Sequence, residues 1–119
     1  MIYNKINRKE GKAELLDTYA VIAEPSRRRI LDRLLRSPSN VTELSKDLGL
    51  SQPLVSKHLR TLRDSGLVQV QTEAQRRIYS LNAKPLAEVD EWLAAYRAMW
   101  NRHVDALAEH LDRRKRAKE

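Results

Sequence analysis

The sequence contains no cysteine and no long apolar run, and each absence excludes a class of protein. Without cysteine the chain can form no disulfide bond, no cysteine-ligated iron–sulfur cluster and no thiol-based redox sensor. No apolar run approaches the ~20 residues that cross a bilayer, and the N-terminus lacks the apolar stretch of a signal peptide. We therefore expect a cytoplasmic protein that makes no membrane contact. The 119 residues show no internal repeat and no long linker, which predicts one small domain.

A helix is predicted between Asn40 and Gly49. Asn40 can accept hydrogen bonds from the first free N–H groups of that helix, and Glu43 can reach back to complete a capping box. Leu44 and Leu48 are four residues apart and share one face. Gly49 is suited to the left-handed conformation that ends many helices.

A second helix is predicted to start at Ser51, which is a favourable N-cap, with Pro53 in its first turn and Gly66 beyond its end. Its apolar stripe recurs at i, i+4 and i+7 and consists of Val55, Leu59 and Leu62. The opposite face is polar and carries Gln52, Ser56, Lys57, Arg60 and Arg63.

Two short strands are predicted next, from the apolar residues at 67–70 and 78–81, with a polar tip from Glu73 to Arg77. This order of elements predicts a winged helix-turn-helix, a mainly α fold with a small β-hairpin wing. A helix in the major groove reaches base edges with the polar side chains of its first two turns, and basic residues farther along meet phosphate. We therefore predict a sequence-specific DNA-binding protein. Two alternatives remain, an interaction module that binds protein or RNA and a merely solvated polar helix face.

Three segments resemble the ArsR/SmtB-type winged-helix transcriptional regulators. Residues 23–31 are similar to that family's opening helix, residues 50–62 to its recognition helix, and residues 65–68 with 77–81 to its wing. The resemblance implies a homodimer that binds an inverted-repeat operator in double-stranded DNA and represses transcription. By position it implies base contacts by Gln52, Pro53, Ser56 and Lys57, with Arg76 and Arg77 at the wing. The chain departs from the family at Ala74 and Gln75, where a wing-tip glycine is usual, so we expect a looser or differently turned hairpin.

Charge is distributed unevenly along the chain, whose formal net charge is +7. Residues 51–79 carry five basic and two acidic side chains, whereas residues 83–111 carry three basic and five acidic ones. A basic segment gains affinity for DNA through the release of counterions from phosphate. The predicted DNA-binding residues are Ser51, Gln52, Pro53, Ser56, Lys57, Arg60, Arg76 and Arg77.

The last predicted helix carries a seam of residues spaced 4, 3, 4, 3 and 4 apart, a spacing typical of paired helices. The seam consists of Val89, Leu93, Tyr96, Trp100, His103 and Leu107. We predict that it pairs with a second copy of the chain, with Leu15 and Tyr19 at the same interface; packing on the chain's own winged helix is the alternative. An aromatic-rich last helix without cysteine also resembles a subgroup of the family, and its rings could line a pocket for a small-molecule effector.

The predicted organisation is a polar arm at residues 1–12, a domain at 13–111 and a basic tail at 112–119, in which we expect disorder from Arg113 to Lys118. Within the domain we expect a recognition helix at about 51–65, a wing at about 67–82 and a C-terminal helix at about 84–111. Two earlier helices are expected, one ending at Ala23 and one from Ser26 to Arg36. The second should point Ile30, Leu31, Leu34 and Leu35 toward the core, and the Arg27, Arg28 and Arg29 run is interpreted as a mostly solvated face.

No metal, cofactor or catalytic residue is predicted. By the resemblance, Asn40 and Thr42 occupy the positions of two metal-binding cysteines, and neither is a ligand for soft metals. His103 and His110 are seven residues apart on one helix face, but Asn101 stands where the family's second metal site has an aspartate. No nucleophile–base pair or phosphate loop is present, so we predict that the chain is not an enzyme.

Overall fold

The computed structural model describes residues 17–118. Its helices are α1 (Thr18–Ile22), α2 (Pro25–Arg36), α3 (Val41–Leu48), α4 (Gln52–Asp64) and α5 (Ala87–Lys118), with strands β1 (Val68–Glu73) and β2 (Arg76–Leu81) between α4 and α5. A single turn of 3-10 helix, Lys84–Leu86, precedes α5. This order confirms the predicted winged helix-turn-helix. The predicted arm at residues 1–12, and Leu15, lie outside the described residues.

Side-chain caps define the start of each of the first four helices. Asn40 Oδ1 accepts from the Glu43 backbone N–H at 2.8 Å, as predicted, but the Glu43 carboxylate turns to the Ser39 hydroxyl instead of reaching back to Asn40. Ser51 Oγ accepts from the Leu54 N–H at 3.3 Å at the start of α4. Only half of the predicted capping box is therefore formed.

Two glycines end the helices that form the helix-turn-helix. Gly49 closes α3 with a φ of 68°, and Gly66 follows α4 with a φ of 82°. Both values lie in the left-handed region, which glycine enters without the steric cost that a Cβ imposes. The turn between α3 and α4 is short, because Gly49 ends α3 and Ser51 caps α4 only two residues later.

The core lies where α2, α3, α4 and the start of the hairpin meet. The predicted stripe of α4 is fully inside, since Val55, Leu59 and Leu62 are at most 1% exposed. The rest of the cluster consists of Val21, Ile30, Leu31, Leu34, Leu44, Leu67, Val68 and Tyr79. Leu35 was predicted to join it and does not, because it is 71% exposed on the outer side of α2.

The wing is a tight antiparallel hairpin. Its register runs from Val68 opposite Leu81 to Glu73 opposite Arg76, so only Ala74 and Gln75 lie in the turn. The predicted five-residue tip was too long, because Arg76 and Arg77 belong to β2 and continue its ladder. A feature not predicted from the sequence is a bridge between Ser39 and Tyr79, whose backbone groups exchange hydrogen bonds of 3.0 and 2.8 Å. This bridge joins the wing to the segment that precedes α3.

Helix α5 forms a separate unit from Glu88 onward, and the described residues up to Ala87 form another. The helix starts three residues later than predicted because Lys84–Leu86 adopt the 3-10 conformation. It also continues to Lys118, so the expectation of disorder from Arg113 to Lys118 is wrong, because these residues extend the helix. No helix in residues 17–118 is long and apolar enough to span a membrane.

Candidate nucleic-acid interface

The first two turns of α4 present an exposed polar surface. Gln52, Pro53, Ser56 and Lys57 are all exposed, and the apolar stripe of the same helix is buried on the opposite side. A shallow groove of about 250 Å³ runs along Pro53, Ser56, Lys57 and Arg60. Amide, hydroxyl and ammonium groups at such positions can donate to or accept from base edges.

The Ser51 hydroxyl, which is predicted to contact DNA, also caps α4. Its Oγ accepts from the Leu54 N–H and so satisfies one of the free donors at the start of α4. The hydroxyl hydrogen is left to donate outward, because a hydroxyl can accept and donate at once.

A cleft of about 370 Å³ separates α4 from the wing. It is lined by Ser56, Arg60 and Arg63 of α4, by Arg77 and Tyr79 of β2, and by Val41 at the start of α3. The structure thus brings the predicted Arg60 and Arg77 together and adds Arg63, which was not in the predicted set. Arg63 was identifiable as an outward-facing residue of α4, but the sequence alone did not bring it near the wing.

The arginines differ in whether other groups of the described chain bind their guanidinium groups. Three arginines of α2 are bound by the protein: Arg28 donates to the carbonyls of Ile22 and Ala23, Arg29 donates to that of Leu48, and Arg33 pairs with Asp47 at 2.8 Å. The guanidinium groups of α4 and the wing make no hydrogen bond or ion pair within residues 17–118. They belong to Arg60, Arg63, Arg76 and Arg77. The run in α2 is therefore occupied by backbone oxygens, and the arginines around α4 and the wing remain available to phosphate.

The wing holds Arg77 in a defined place. Its guanidinium carbon lies 5.8 Å from the centre of the Tyr79 ring, a cation–π distance, and Tyr79 is only 7% exposed. Arg76 is the cross-strand neighbour of Glu73 and is exposed. At the turn, Ala74 has a φ of 57°, so an ordinary residue occupies the left-handed conformation where the family usually has glycine.

His58, whose role the sequence left open, faces the protein interior. It is 8% exposed, and its Nδ1 lies 3.4 Å from a terminal nitrogen of Arg27. Burial lowers the pKa of His58, the nearby Glu24 carboxylate acts in the opposite direction, and the Arg27 and Lys57 cations lower the pKa further. His58 is thus placed to orient α4 and not to contact a base.

The predicted dimer residues on α5 form a half-exposed apolar face. Tyr96, Trp100 and Leu107 are 45%, 50% and 58% exposed, and Trp92 packs against Tyr96 with ring centres 5.3 Å apart. Val89 and Leu93 are partly buried, His103 is exposed, and Tyr19 of α1 is 38% exposed. In residues 17–118, no three His, Cys, Asp or Glu side chains come close enough to hold a metal ion. The absence of a metal site therefore stays a prediction.

An exposed polar helix held by a helix-turn-helix, flanked by free arginines on a wing, defines a winged-helix DNA-binding protein. Residues 24–70 match the family described as the bacterial regulatory protein, arsR family. The chain is 34% identical to the HTH-type transcriptional regulator Rv2034 of Mycobacterium tuberculosis, over 79% of this chain and 85% of that one. It is 36% identical to the transcriptional activator HlyU of Vibrio cholerae, over 78% and 84%.

Solved structures agree with the sequence matches. The ArsR family transcriptional regulator RHA00566 is similar with a TM-score of 0.59 and 32% identity, over 70% of this chain and 86% of that one. The chain belongs to the ArsR family and is a DNA-binding transcriptional regulator.

Proposed function

We propose that the protein is a homodimeric repressor that binds an inverted-repeat operator, with α4 in the major groove and the wing on the adjacent backbone. The observation that carries this proposal is the combination of an exposed α4 face with arginines that have no hydrogen-bond or ion-pair partner within residues 17–118. In this arrangement Gln52, Ser56 and Lys57 select bases, and Arg60, Arg63, Arg76 and Arg77 bind phosphate.

The dimer part of the proposal is supported by α5. Several large apolar side chains on this helix are about half exposed, including Trp92, Met99, Trp100 and Leu111. A contiguous apolar face of this kind on a small protein usually marks an interface. Two copies related by a twofold axis would present two α4 helices to successive turns of the major groove, as an inverted repeat requires.

Selection from a library of random DNA duplexes tests the proposal directly. We expect the enriched duplexes to contain two half-sites in inverted orientation, with centres about one or two helical turns apart, and two chains bound per duplex. Recovery of no preferred sequence would favour the alternative, an interaction module that binds protein or RNA.

Repression is the sign of regulation that the family resemblance implies, whereas the relative HlyU is named as an activator. A reporter gene placed behind the selected operator decides between the two signs. We expect its expression to fall when the protein is present, because a dimer seated on a promoter excludes the polymerase. Such a regulator acts where chromosomal DNA is, so the cytoplasm stays its predicted location.

A further inference from the structure

We propose that Arg27 is a positioning residue for DNA recognition: its guanidinium clamps α4, through a neutral His58, to the end of α1. The clamp holds while the His58 imidazole can accept a hydrogen bond and fails when that ring takes up a proton. The consequence for DNA binding rests on the proposed function of α4; the contact between Arg27 and His58 does not.

The geometry joins three helices through one side chain. Arg27 belongs to α2, its Nε donates to the Val21 carbonyl of α1 at 2.7 Å, and a terminal nitrogen lies 3.4 Å from His58 Nδ1 in α4. The backbone at Arg27 is also fixed, because the Glu24 carboxylate accepts hydrogen bonds from the Ser26 and Arg27 backbone N–H groups. Lysine could not replace this arginine, since its single ammonium group cannot span two separated acceptors as the planar fork does.

Only one form of His58 fits this contact. Arginine has donors and no acceptor, so His58 Nδ1 must be unprotonated, with its hydrogen on Nε2. His58 is 8% exposed, so water cannot readily replace the lost partner if Arg27 moves away. Protonation at Nδ1 would remove the acceptor and set a cation against the guanidinium. The result would be a loosened link between α4 and α1.

Three charged groups act on His58 in the described part of the chain. Glu24 and Arg27 face it from the start of α2, and Lys57 neighbours it on α4. Burial and the two cations outweigh the carboxylate, so the pKa of His58 lies below its ordinary value of about 6.5. The folded protein therefore resists the proton more than the unfolded chain does. The contribution of neutral His58 to the stability of the fold is therefore fully present above about pH 6.5. It is lost as the pH falls from there through the lower pKa of the folded state.

Acidification should weaken operator binding, which is the opposite of what the overall charge of the protein predicts. Acidification makes a basic protein more positive and strengthens its non-specific attraction to phosphate. Loss of the clamp instead misplaces α4 and weakens binding to the operator. We expect operator affinity to fall as the pH is lowered below about 6.5, by up to about tenfold at pH 5.5, with no fall for a scrambled duplex.

Three variants separate the clamp from other causes. His58→Asn keeps an oxygen acceptor near the Nδ1 position but cannot take up a proton, so it should bind the operator nearly as well as the wild type at neutral pH and lose the pH dependence. Arg27→Lys should weaken operator binding about tenfold at neutral pH and leave the scrambled duplex unchanged. Arg28→Lys is the matched control, because within residues 17–118 the side-chain hydrogen bonds of Arg28 go to the Ile22 and Ala23 carbonyls and not to α4.

Thermal unfolding of each variant first establishes that it is folded. The inference is wrong if His58→Asn keeps the wild-type pH profile, or if Arg27→Lys weakens both duplexes alike, as loss of a phosphate contact would. Nuclear magnetic resonance of the His58 ring gives a readout that needs no DNA. A ring that titrates at or above its ordinary value, or is indifferent to Arg27→Gln, overturns the clamp. Absence of operator binding by the wild type at every pH would instead refute the proposed function.

Discussion

Gln52 and Arg76 illustrate the two kinds of contact that single residues can contribute to DNA binding. Both side chains are exposed, but Gln52 opens α4 and Arg76 lies on the wing. An amide can pair with the edge of one base and reject another, whereas a guanidinium on phosphate binds every sequence equally.

We predict that Gln52→Ala and Ser56→Ala relax sequence preference, whereas Arg76→Ala weakens binding to all duplexes alike. Arg76→Ala should also lower the slope of log affinity against log salt by about 1, because one phosphate contact is lost. Binding to operator and scrambled duplexes across a salt series measures both effects.

Arg36→Ala is the matched control for this experiment. It removes the same charge from the last turn of α2 and should change the slope less than Arg76→Ala does. If Gln52→Ala weakens operator and scrambled duplexes equally, the assignment of base recognition to α4 is incorrect.

The wing is the element in which local sequence and backbone conformation disagree. Its two-residue turn has a positive φ at the first position, and the residue there is Ala74. A non-glycine residue in the left-handed region costs roughly 1–2 kcal/mol.

We predict that Ala74→Gly raises the free energy of unfolding by about 0.5–1 kcal/mol, because relief of this strain exceeds the extra entropy of glycine in the unfolded chain. Urea denaturation measures the change. Gln75→Gly is the control, since position 75 has no positive φ, and it should lower stability by a similar amount. Equal effects of the two substitutions would show that the turn is not strained at Ala74.

At the scale of the whole molecule, the proposed dimer through α5 predicts that two chains bind one operator. We predict that Trp100→Glu converts the protein to a monomer, because a charge would be buried at the interface of the proposed dimer. Operator binding should be lost with it, since one half-site offers too few contacts. Sedimentation and operator binding measure the two consequences.

Ala98→Glu is the control for the dimer experiment. Position 98 is exposed and lies about 160° around the helix from position 100, so this charge should leave the dimer intact. A monomeric wild type that still binds its operator tightly would contradict the dimer.

Metal response is also a property of the whole assembly, because a site can be shared between two chains. We predict that zinc, nickel, cobalt and arsenite leave operator binding unchanged, since the chain has no cysteine and an incomplete histidine and carboxylate set on α5. The measurement is operator affinity titrated with each metal, for the wild type and for the double variant His103→Ala and His110→Ala. A metal that weakens only the wild type would identify those histidines as ligands. We then expect repression to be relieved by another route, either an organic ligand near the aromatic face of α5 or competition for DNA.

The parts of the structure that the sequence determined by itself are those that depend on neighbours along the chain. Asn40 and Ser51 cap α3 and α4, Gly49 and Gly66 follow their ends, and the stripe of α4 is buried, because caps, left-handed turns and helical periodicity act within a few residues. For the same reason the exposed face of α4 was predictable residue by residue. The outer position of Leu35 was not, because periodicity places residues on a face but does not decide how wide the buried part of that face is.

The tertiary structure decided which residues that are distant in sequence lie next to one another. The backbones of Ser39 and Tyr79 pair although 40 residues separate them, Arg63 and Arg77 line one cleft, and Arg27 reaches His58 from another helix. The arginines near α4 and those in α2 look alike in sequence. They differ in their surroundings, because packing supplies carbonyl and carboxylate partners to Arg28, Arg29 and Arg33, whereas the arginines of α4 and the wing have no hydrogen-bond or ion-pair partner within residues 17–118. Such partners are set by the packing of distant segments, which no local pattern encodes.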